Sequence, residues 1–552
     1  MTSSSDDSKR QMSSETAGRE WATVSGIPLK AYYGLDDVPE AARVISAPGQ
    51  VPYLRGAHTN GYRSKPWRIF QLSGFGNPED EAERIRYLLA KGGTGFIMEH
   101  DRMTADNLYD VDHPEVVARR EDVGISGAVI MSVHDCELAL EGIDQAANYA
   151  HAGGGVAQHA PFAMAAYWNV ALRRGLRLDQ LNGTGQADFF LTYIGCPPLH
   201  QIPPAAALKI NCDIVEYCYE NLPNWVPISM AGYNGADSGL NAYQELAAVF
   251  ACNIAHLDEV RRRGTVPLEG LAYALGGVSF RMAMDFFEDI CKIRAARKMW
   301  HDLLSDRYGI TDERALRLRI HIVTAGSAMT YQEPINNIVR GTTMGLSAVL
   351  AGVQSMGISA YDEALSVPSE QAHQQSVRAQ QILMHETNLT AVVDPLGGSY
   401  YVEALTAELE QRAYGFLEEI EAAGGFIAAL EGGFLHGVAS DNQVHLEAMM
   451  GDGTKEVVGV NVHLSDHDPF DIDGFQGSID AWEKGMERLE RLRAERDSVR
   501  AAAAIASLDE VCRSGGNVME AVMSAVGNDV TVGEIGEIFR TVFGSWKFPV
   551  SF

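Results

Sequence analysis

Residues Trp67 to Asp101 read WRIFQLSGFGNPEDEAERIRYLLAKGGTGFIMEHD. An apolar-alternating run, Arg68 to Leu72, breaks at Ser73-Gly74. Asn77-Pro78-Glu79-Asp80 then opens a helix with acids in its first turn, and Gly92-Gly93 closes it before a second apolar run, Phe96 to Met98. A strand, a helix and a second strand in that order form a crossover, which requires parallel pairing. From Trp67 onward the same period yields eight strand candidates: Arg68–Leu72, Gly95–Glu99, Ala128–Val133, Gly154–His159, Gly183–Asp188, Pro227–Ala231, Leu271–Phe280 and Leu316–Thr324. Helical periodicity fills segments between them, as at Ala163 to Arg174 and Phe286 to Leu304. Eight such units predict a (β/α)8 TIM barrel, whose strand C-termini carry the chemistry.

The strands are unusual for that fold. Bulky branched residues ordinarily fill a barrel, but GGGVAQHA, NGTGQAD, ALGGVSF and LRIHIV place Gly, Ala, Ser, Gln and His there. Small and polar walls predict a barrel hollow enough for a slender polar ligand along its axis, unless these residues sit only at strand ends.

A chain of 552 residues with 46% hydrophobic content can bury a large core and exceeds one ordinary domain. The expected division is a disordered tail (1–18), an N-terminal arm (19–66), a substrate-binding barrel (67–400) and a C-terminal helical region (401–552). Within the arm and just after it, Arg55, Arg63, Lys65 and Arg68 form either a solvated stretch or an anion-binding segment. After the barrel, DPLGGSYYVEAL leads into a long amphipathic helix, HLSDHDPFDIDG reads as an acidic loop, and WKFPVSF as an apolar tail packed on the body.

A formal charge of −29 argues against nucleic acid or an anionic membrane as partner. Seven cysteines without a C-x-x-C pair indicate neither a disulfide framework nor a zinc site, and a reduced cytoplasm is expected. The polar opening has no apolar segment like that of a signal peptide, and no run is long enough to span a bilayer.

Glu99, His100, Asp101, Asp112 and His113 gather near the end of the second strand, but without H-x-H or H-E-x-x-H spacing, so no metal site is expected. His159, Gln186 and His321 fall near the ends of three other strands. Hydrolase, kinase and dinucleotide readings lack their markers, G-x-S-x-G, the Walker loop and a G-x-G-x-x-G after a strand.

Several strings occur in a telling order: FQLSGFG, YDVDHPEV, GISGAVI, GTGQAD, PISMAGYN, KIRAARKMW, LRIHIVTAG, YDEAL, VVDPLGGSYYVEAL, GVNV and LRAERD. From about residue 50 onward the chain resembles the large subunit of the adenosylcobalamin-dependent acyl-CoA mutases, the methylmalonyl-CoA mutase family. The resemblance implies a radical rearrangement that interconverts branched and linear acyl-CoA thioesters, with adenosylcobalamin as cofactor. Fused members carry a cobalamin-binding domain with Asp-x-His-x-x-Gly. That motif is absent from this sequence, so the expected type is a stand-alone large subunit, as in isobutyryl-CoA and 2-hydroxyisobutyryl-CoA mutases. Its partner would be a small subunit supplying the cobalt ligand, in a heterotetramer.

Carried over by position, Asn234, Gln186, Glu99 and Leu72 would act at the reacting end. Arg319, His321, Gln354, Tyr62 and Lys65 would bind substrate. Gly74, Tyr233, Asp237, Gly326, Glu363 and Ala364 would meet the cofactor. Methylmalonyl-CoA mutase has a tyrosine at the Leu72 position and an arginine in its strand-five loop for the substrate carboxylate. YIGCPP offers no arginine, which disfavours a dicarboxylic substrate. Leu72 with Glu99 looks like the aliphatic residue and aspartate of the hydroxyacyl mutases one methylene longer, pointing to a hydroxylated or other non-dicarboxylic acyl group; a structural salt bridge is the other reading of Glu99.

Three departures stand out. Asn234 replaces a histidine that polarises the thioester carbonyl, Leu275 an arginine and Val323 a glutamine. They keep a second class open, a non-catalytic paralogue that stabilises an active partner, beside a third, a metal-dependent barrel lyase or hydrolase.

Overall fold

A computed structural model describes residues 21–153, 155–466 and 478–547; the expected disordered tail and most of the acidic loop lie outside these residues. Nine short parallel strands form one sheet: β1 (Arg68–Ser73), β2 (Gly95–Met98), β3 (Tyr149–His151), β4 (Gly183–Thr184), β5 (Trp225–Val226), β6 (Met230–Ala231), β7 (Gly277–Met282), β8 (Arg319–Thr324) and β9 (Ser355–Gly357). Their order is β5-β4-β3-β2-β1-β9-β8-β7-β6. The two ends of that row, β5 and β6, are adjacent in sequence. Trp225–Val226 pairs with β4, and Met230–Ala231, just beyond Pro227-Ile228-Ser229, pairs with β7. One bent run therefore joins both edges, and the sheet closes into the expected barrel with helices outside.

Three strand expectations need correction, and β9 lies where no strand was expected. Ala128–Val133 is no strand: Ala128 makes a single bridge to His100, and Ser132 caps a helix over Val133–Ala139. Its buried apolar residues serve the C-terminal region instead, Val532 N–H donating to Met131 O at 2.9 Å. Of the expected strand Gly154–His159, Gly154 lies outside the described residues, Val156 makes only a single bridge to Asp188, and the chain turns over 157–159 before the helix Ala160–Arg173; the strand is Tyr149–His151. Leu271–Phe280 begins as a helix, Leu268–Leu275, started by Pro267. β9, Ser355–Gly357, lies in a stretch with no predicted strand. Short apolar runs cannot be sorted into strand or buried loop by period alone.

Outward residues of the strands, among them Phe96, Met98, Ala150, Val278, Phe280, Ile320 and Ile322, are buried against the helices. That sheet–helix layer is the main core. The helix Phe286–Asp302, which holds KIRAARKMW, pins the surrounding parts with three buried cations. Lys292 Nζ sits 2.7 Å from Glu245 and 2.8 Å from Asp289. Arg294 pairs with Asp394 and, at 2.7 Å, with Glu403 of the helix Tyr400–Ala422. Arg297 donates to the carbonyls of Tyr53 (3.0 Å), Leu54 (3.0 Å) and Ala351 (2.8 Å). The segment before β1 is thus fixed under the N-terminal end of the barrel. At the other end of the chain, Trp546 N–H donates to Gln201 O at 2.7 Å, docking part of the apolar tail.

Arg297→Leu keeps apolar bulk but leaves three carbonyls without their donor. It is expected to cost about 3 kcal/mol or more in a denaturant titration; a loss below about 1 kcal/mol would show that these bonds do not hold the segment.

Candidate functional site

Inside the barrel lies a cavity of about 1210 Å³, to which every strand contributes wall. Alternate residues face it, as the period of two demands: Arg68, Phe70 and Leu72 of β1; Tyr149 and His151 of β3; Gly277 and Ser279 of β7; Arg319, His321 and Val323 of β8; Ser355 and Gly357 of β9. No aliphatic layer crosses the axis among these residues, so the channel runs from one end of the strands to the other. Gly357 has a second reason to lack a side chain, since a Cβ there would stand 2.9 Å from Phe70 O.

At the N-terminal end the wall is basic and aromatic. Lys65 is exposed, Arg68 stands over the Tyr149 ring at 4.2 Å, and Arg319 over Tyr273 at 4.3 Å. Tyr62 lines the same end, its hydroxyl donating to Val353 O at 2.7 Å. Gln354 is committed to the backbone: Oε1 accepts from Ile320 N–H at 2.8 Å and Nε2 donates to Gly352 O at 3.0 Å. Arg55 is paired with Asp394 at 2.8 Å.

Midway, two imidazoles face the cavity. His321 meets Ser355 Oγ through Nδ1 at 2.9 Å, and His151 has Gln186 as its side-chain partner. Burial pushes His151 down to about 4 and His321 to about 3, so both are neutral at pH 7. Each keeps one ring nitrogen without a partner among the described residues, His151 Nδ1 and His321 Nε2. A polar ligand atom would satisfy them.

Toward the strand C-termini the wall carries Leu72, Gly74, Glu99, Gln186, Tyr233 and Asn234. Leu72 is 53% exposed. Gly74 is required by closeness: a Cβ would lie 2.5 Å from Glu99 Cβ and O. Asn234 spends one amide hydrogen on Asp188, Nδ2 to Oδ2 at 2.7 Å, and has a second to offer. Asp188, fully buried, also accepts from Phe190 and Leu191 N–H and is pushed up to about 6 by burial. Glu99 is pushed up to about 7 by burial, against the pull of Arg102.

Beside this end, Tyr233, Asp237, Gly326 and Glu363 converge. A Cβ at Gly326 would lie 3.6 Å from both Glu363 Oε1 and the Tyr233 hydroxyl and 3.8 Å from Asp237 Oδ2. Ser327 Oγ donates to Asp237 at 2.7 Å, with Arg281 3.5 Å away. Ala364 follows Glu363 but is not in the cavity wall.

Of the other residues picked out from sequence, His159 leaves the site: it is buried, its Nε2 3.3 Å from His100 Nδ1. Asp101 accepts from Thr104 and Gly124 N–H, Asp112 pairs with Arg493, and His113 stacks on Tyr109 at 3.5 Å. Among the described residues, no group of three or more His, Cys, Asp or Glu is placed to hold a metal ion. Leu275 is buried in its helix. Sequence reading missed Tyr149 and His151, whose alternation in NYAHAGGG was overshadowed by the glycines. It also missed Arg102, which opens a π-helical turn after β2, Arg102–Asp106, and crosses to the segment after β4, Nη2 donating to Cys196 O at 2.6 Å.

Glu99 carries a pH consequence. Its carboxyl titrates near 7 in the fold against an ordinary 4.5, so its contribution is fully present below about 4.5 and is lost as pH rises through 7. Glu99→Gln should therefore melt close to the parent at pH 5 and above it at pH 8; a constant gap across that range contradicts the assignment.

The methylmalonyl-CoA mutase family model matches residues 22–545. The chain is 32% identical over 530 residues to the 2-hydroxyisobutanoyl-CoA mutase large subunit of Aquincola tertiaricarbonis, covering 96% of this chain and 93% of that one. It is 33% identical over 533 residues to methylmalonyl-CoA mutase of Cereibacter sphaeroides, covering 96% of this chain and 73% of the relative. The Escherichia coli enzyme of the same name is 31% identical over 533 residues, 72% of its length. A closed parallel barrel with an axial cavity, matched over this length to enzymes that are isomerases, shows that the chain belongs to the methylmalonyl-CoA mutase family.

Proposed function

We propose that this chain is the large, substrate-binding subunit of an adenosylcobalamin-dependent mutase that interconverts branched and linear acyl-CoA thioesters, the acyl group being hydroxylated or otherwise non-dicarboxylic. The observation that carries the reading is the axial cavity, basic at one end and lined by Leu72, Glu99, Gln186 and Asn234 at the other. A thioester threaded along it would put its phosphates near Lys65, Arg68 and Arg319. Tyr62, His321 and Gln354 would line the path of the pantetheine arm.

At the reacting end, Gln186 and the second amide hydrogen of Asn234 would orient the thioester carbonyl, and neutral His321 and His151 offer further ring nitrogens. Leu72 gives the acyl group an apolar wall, and the surrounding barrel keeps water from the reacting carbons.

The cradle at Gly326 fits an added group: Tyr233 hydroxyl, Asp237 and Glu363 surround a space that a side chain would fill. Those residues, with Gly74 and Ala364, would hold adenosylcobalamin at the strand C-termini. When bound, that cofactor supplies a carbon radical from its cobalt–carbon bond. The cobalt ligand would come from a small subunit with Asp-x-His-x-x-Gly, in a heterotetramer. The 93% coverage of a relative that is itself named a large subunit supports this division. Among the described residues no helix is long and apolar enough to cross a membrane.

The test combines the chain with a small cobalamin-binding subunit and adenosylcobalamin and follows branched and linear acyl-CoA isomers by mass-resolved chromatography. Interconversion of a hydroxylated or plain acyl-CoA, with methylmalonyl-CoA at least about 10-fold slower, is expected. Tight binding without turnover of any acyl-CoA would instead establish a non-catalytic paralogue, for which Asn234 in place of histidine is the motivating residue.

A further inference from the structure

The chain leaves β4 through one strained residue. Ala187, in GTGQAD, holds a left-handed φ of 49°, which a residue with a Cβ rarely adopts, and it is fully buried. Asn211 Nδ2 donates to its carbonyl at 2.9 Å and helps to hold it there. Strain kept at a buried position marks a place where the direction of the neighbouring side chains matters. Here it lies between Gln186, which lines the cavity, and Asp188, which is fully buried.

Asp188 is surrounded by donors. Oδ1 accepts from Phe190 N–H at 3.1 Å and Ala231 N–H at 3.4 Å, and Oδ2 from Leu191 N–H at 2.8 Å and Asn234 Nδ2 at 2.7 Å. Three of these are main-chain groups, two after β4 and one at the end of β6, and Asp188 N–H itself donates to Gly155 O at 2.9 Å. The carboxyl therefore cannot swing to suit Asn234; Asn234 must suit the carboxyl. A side-chain amide can turn over and exchange oxygen for nitrogen, offering a ligand either an acceptor or a donor. An ionised carboxyl accepts only, so the Asn234 amide must keep its nitrogen on the Asp188 side. Asn234 lines the cavity, and its second N–H is unspent.

We propose that Asp188 is a positioning residue that fixes Asn234 as a hydrogen-bond donor to the thioester carbonyl. The assignment rests on the acyl-CoA reading above and deepens it, since it supplies what lets an asparagine hold that place. An amide free to turn would present its oxygen to the ligand's carbonyl oxygen part of the time, setting two acceptors face to face in a site poor in water. Asp188 removes that alternative before the ligand arrives, so little ordering is left to be done on binding. The bond it uses is short and charge-assisted, hence stronger than a contact between two neutral amides. Asp188 is itself absent from the cavity wall, so it acts on the ligand through Asn234. Gln186, the other amide on the wall, has His151 as its partner.

The experiment compares two probes on the full chain by calorimetry, isobutyryl-CoA and its thioether analogue, in which a methylene replaces the carbonyl. The parent is expected to bind the thioester about 10-fold tighter. Asn234→Ala and Asp188→Asn should each bring that ratio to within about 2-fold, the second because an amide at that position can pair with Asn234 in either orientation. In the Asn234→Ala background, Asp188→Asn should add no further loss, which a merely structural role would not produce. Isotope-edited infrared spectra give a second readout: the carbonyl band of bound isobutyryl-CoA should fall in frequency in the parent and return toward its free value in both variants. Melting temperatures identify a variant that fails to fold; Asp188→Ser, smaller and still able to accept from Leu191 N–H, then replaces Asp188→Asn, and the Asn234→Ala comparison stands in either case. A ratio kept by Asn234→Ala, or lost there but kept by the Asp188 variant, overturns the assignment. Equal binding of the two probes by the parent overturns this assignment alone; failure of both to bind overturns the acyl-CoA reading and this assignment with it.

Discussion

A barrel that keeps its axis open gives up the interior packing that normally stabilises the fold, and the other features of this chain follow from that constraint. Thr184, Gly277, Ser279, Ser355 and Gly357 line the cavity where branched aliphatics would otherwise interdigitate. The burial free energy is moved outward, to the layer between the strands' outer faces and the helices. Short strands, two residues long at β4, β5 and β6, would make a weak sheet alone. The helix Phe286–Asp302 compensates from outside, its three buried cations reaching the helices that carry Glu245 and Glu403, the carbonyls before β1, and Asp394. Removing one partner of such a set leaves a buried charge or carbonyl exposed to no water, which makes the arrangement specific as well as stable.

The same constraint divides the labour inside the cavity. Neutral imidazoles and amides sit midway, where a charge would be costly to bury. Cations stand at the N-terminal end, near solvent, and carboxyls gather at the strand C-termini. Burial pushes Asp106 up to about 8, Glu99 to about 7 and Asp101 to about 6, with Arg102 drawing the first two down.

The architecture was legible from the strand–helix period and from the small residues of ALGGVSF and LRIHIV, because inward positions recur every second residue. Strand positions were harder. YAHAGGG hid β3, since the glycines after it resemble a small-residue strand, so His159 was taken for a wall residue when His151 is one. Ala128–Val133 carried strand-like apolar residues because the C-terminal helices bury them. Residues carried over from family strings, such as Gln186, Arg319, Tyr233 and Glu363, reached the cavity or its margin, since whole motifs fix their position. Arg102 was invisible for the opposite reason: it sits in a widened turn, and its reach to Cys196 depends on two loops that are far apart in sequence.

The central claim is that the barrel axis receives the ligand. An experimental structure of the chain bound to a non-reactive acyl-CoA analogue tests it most directly. The account predicts the pantetheine arm lying along the axis past His321 and Ser279, with the acyl end between Leu72 and Asn234. An analogue bound on the outer surface, with the axis left to water, would contradict it.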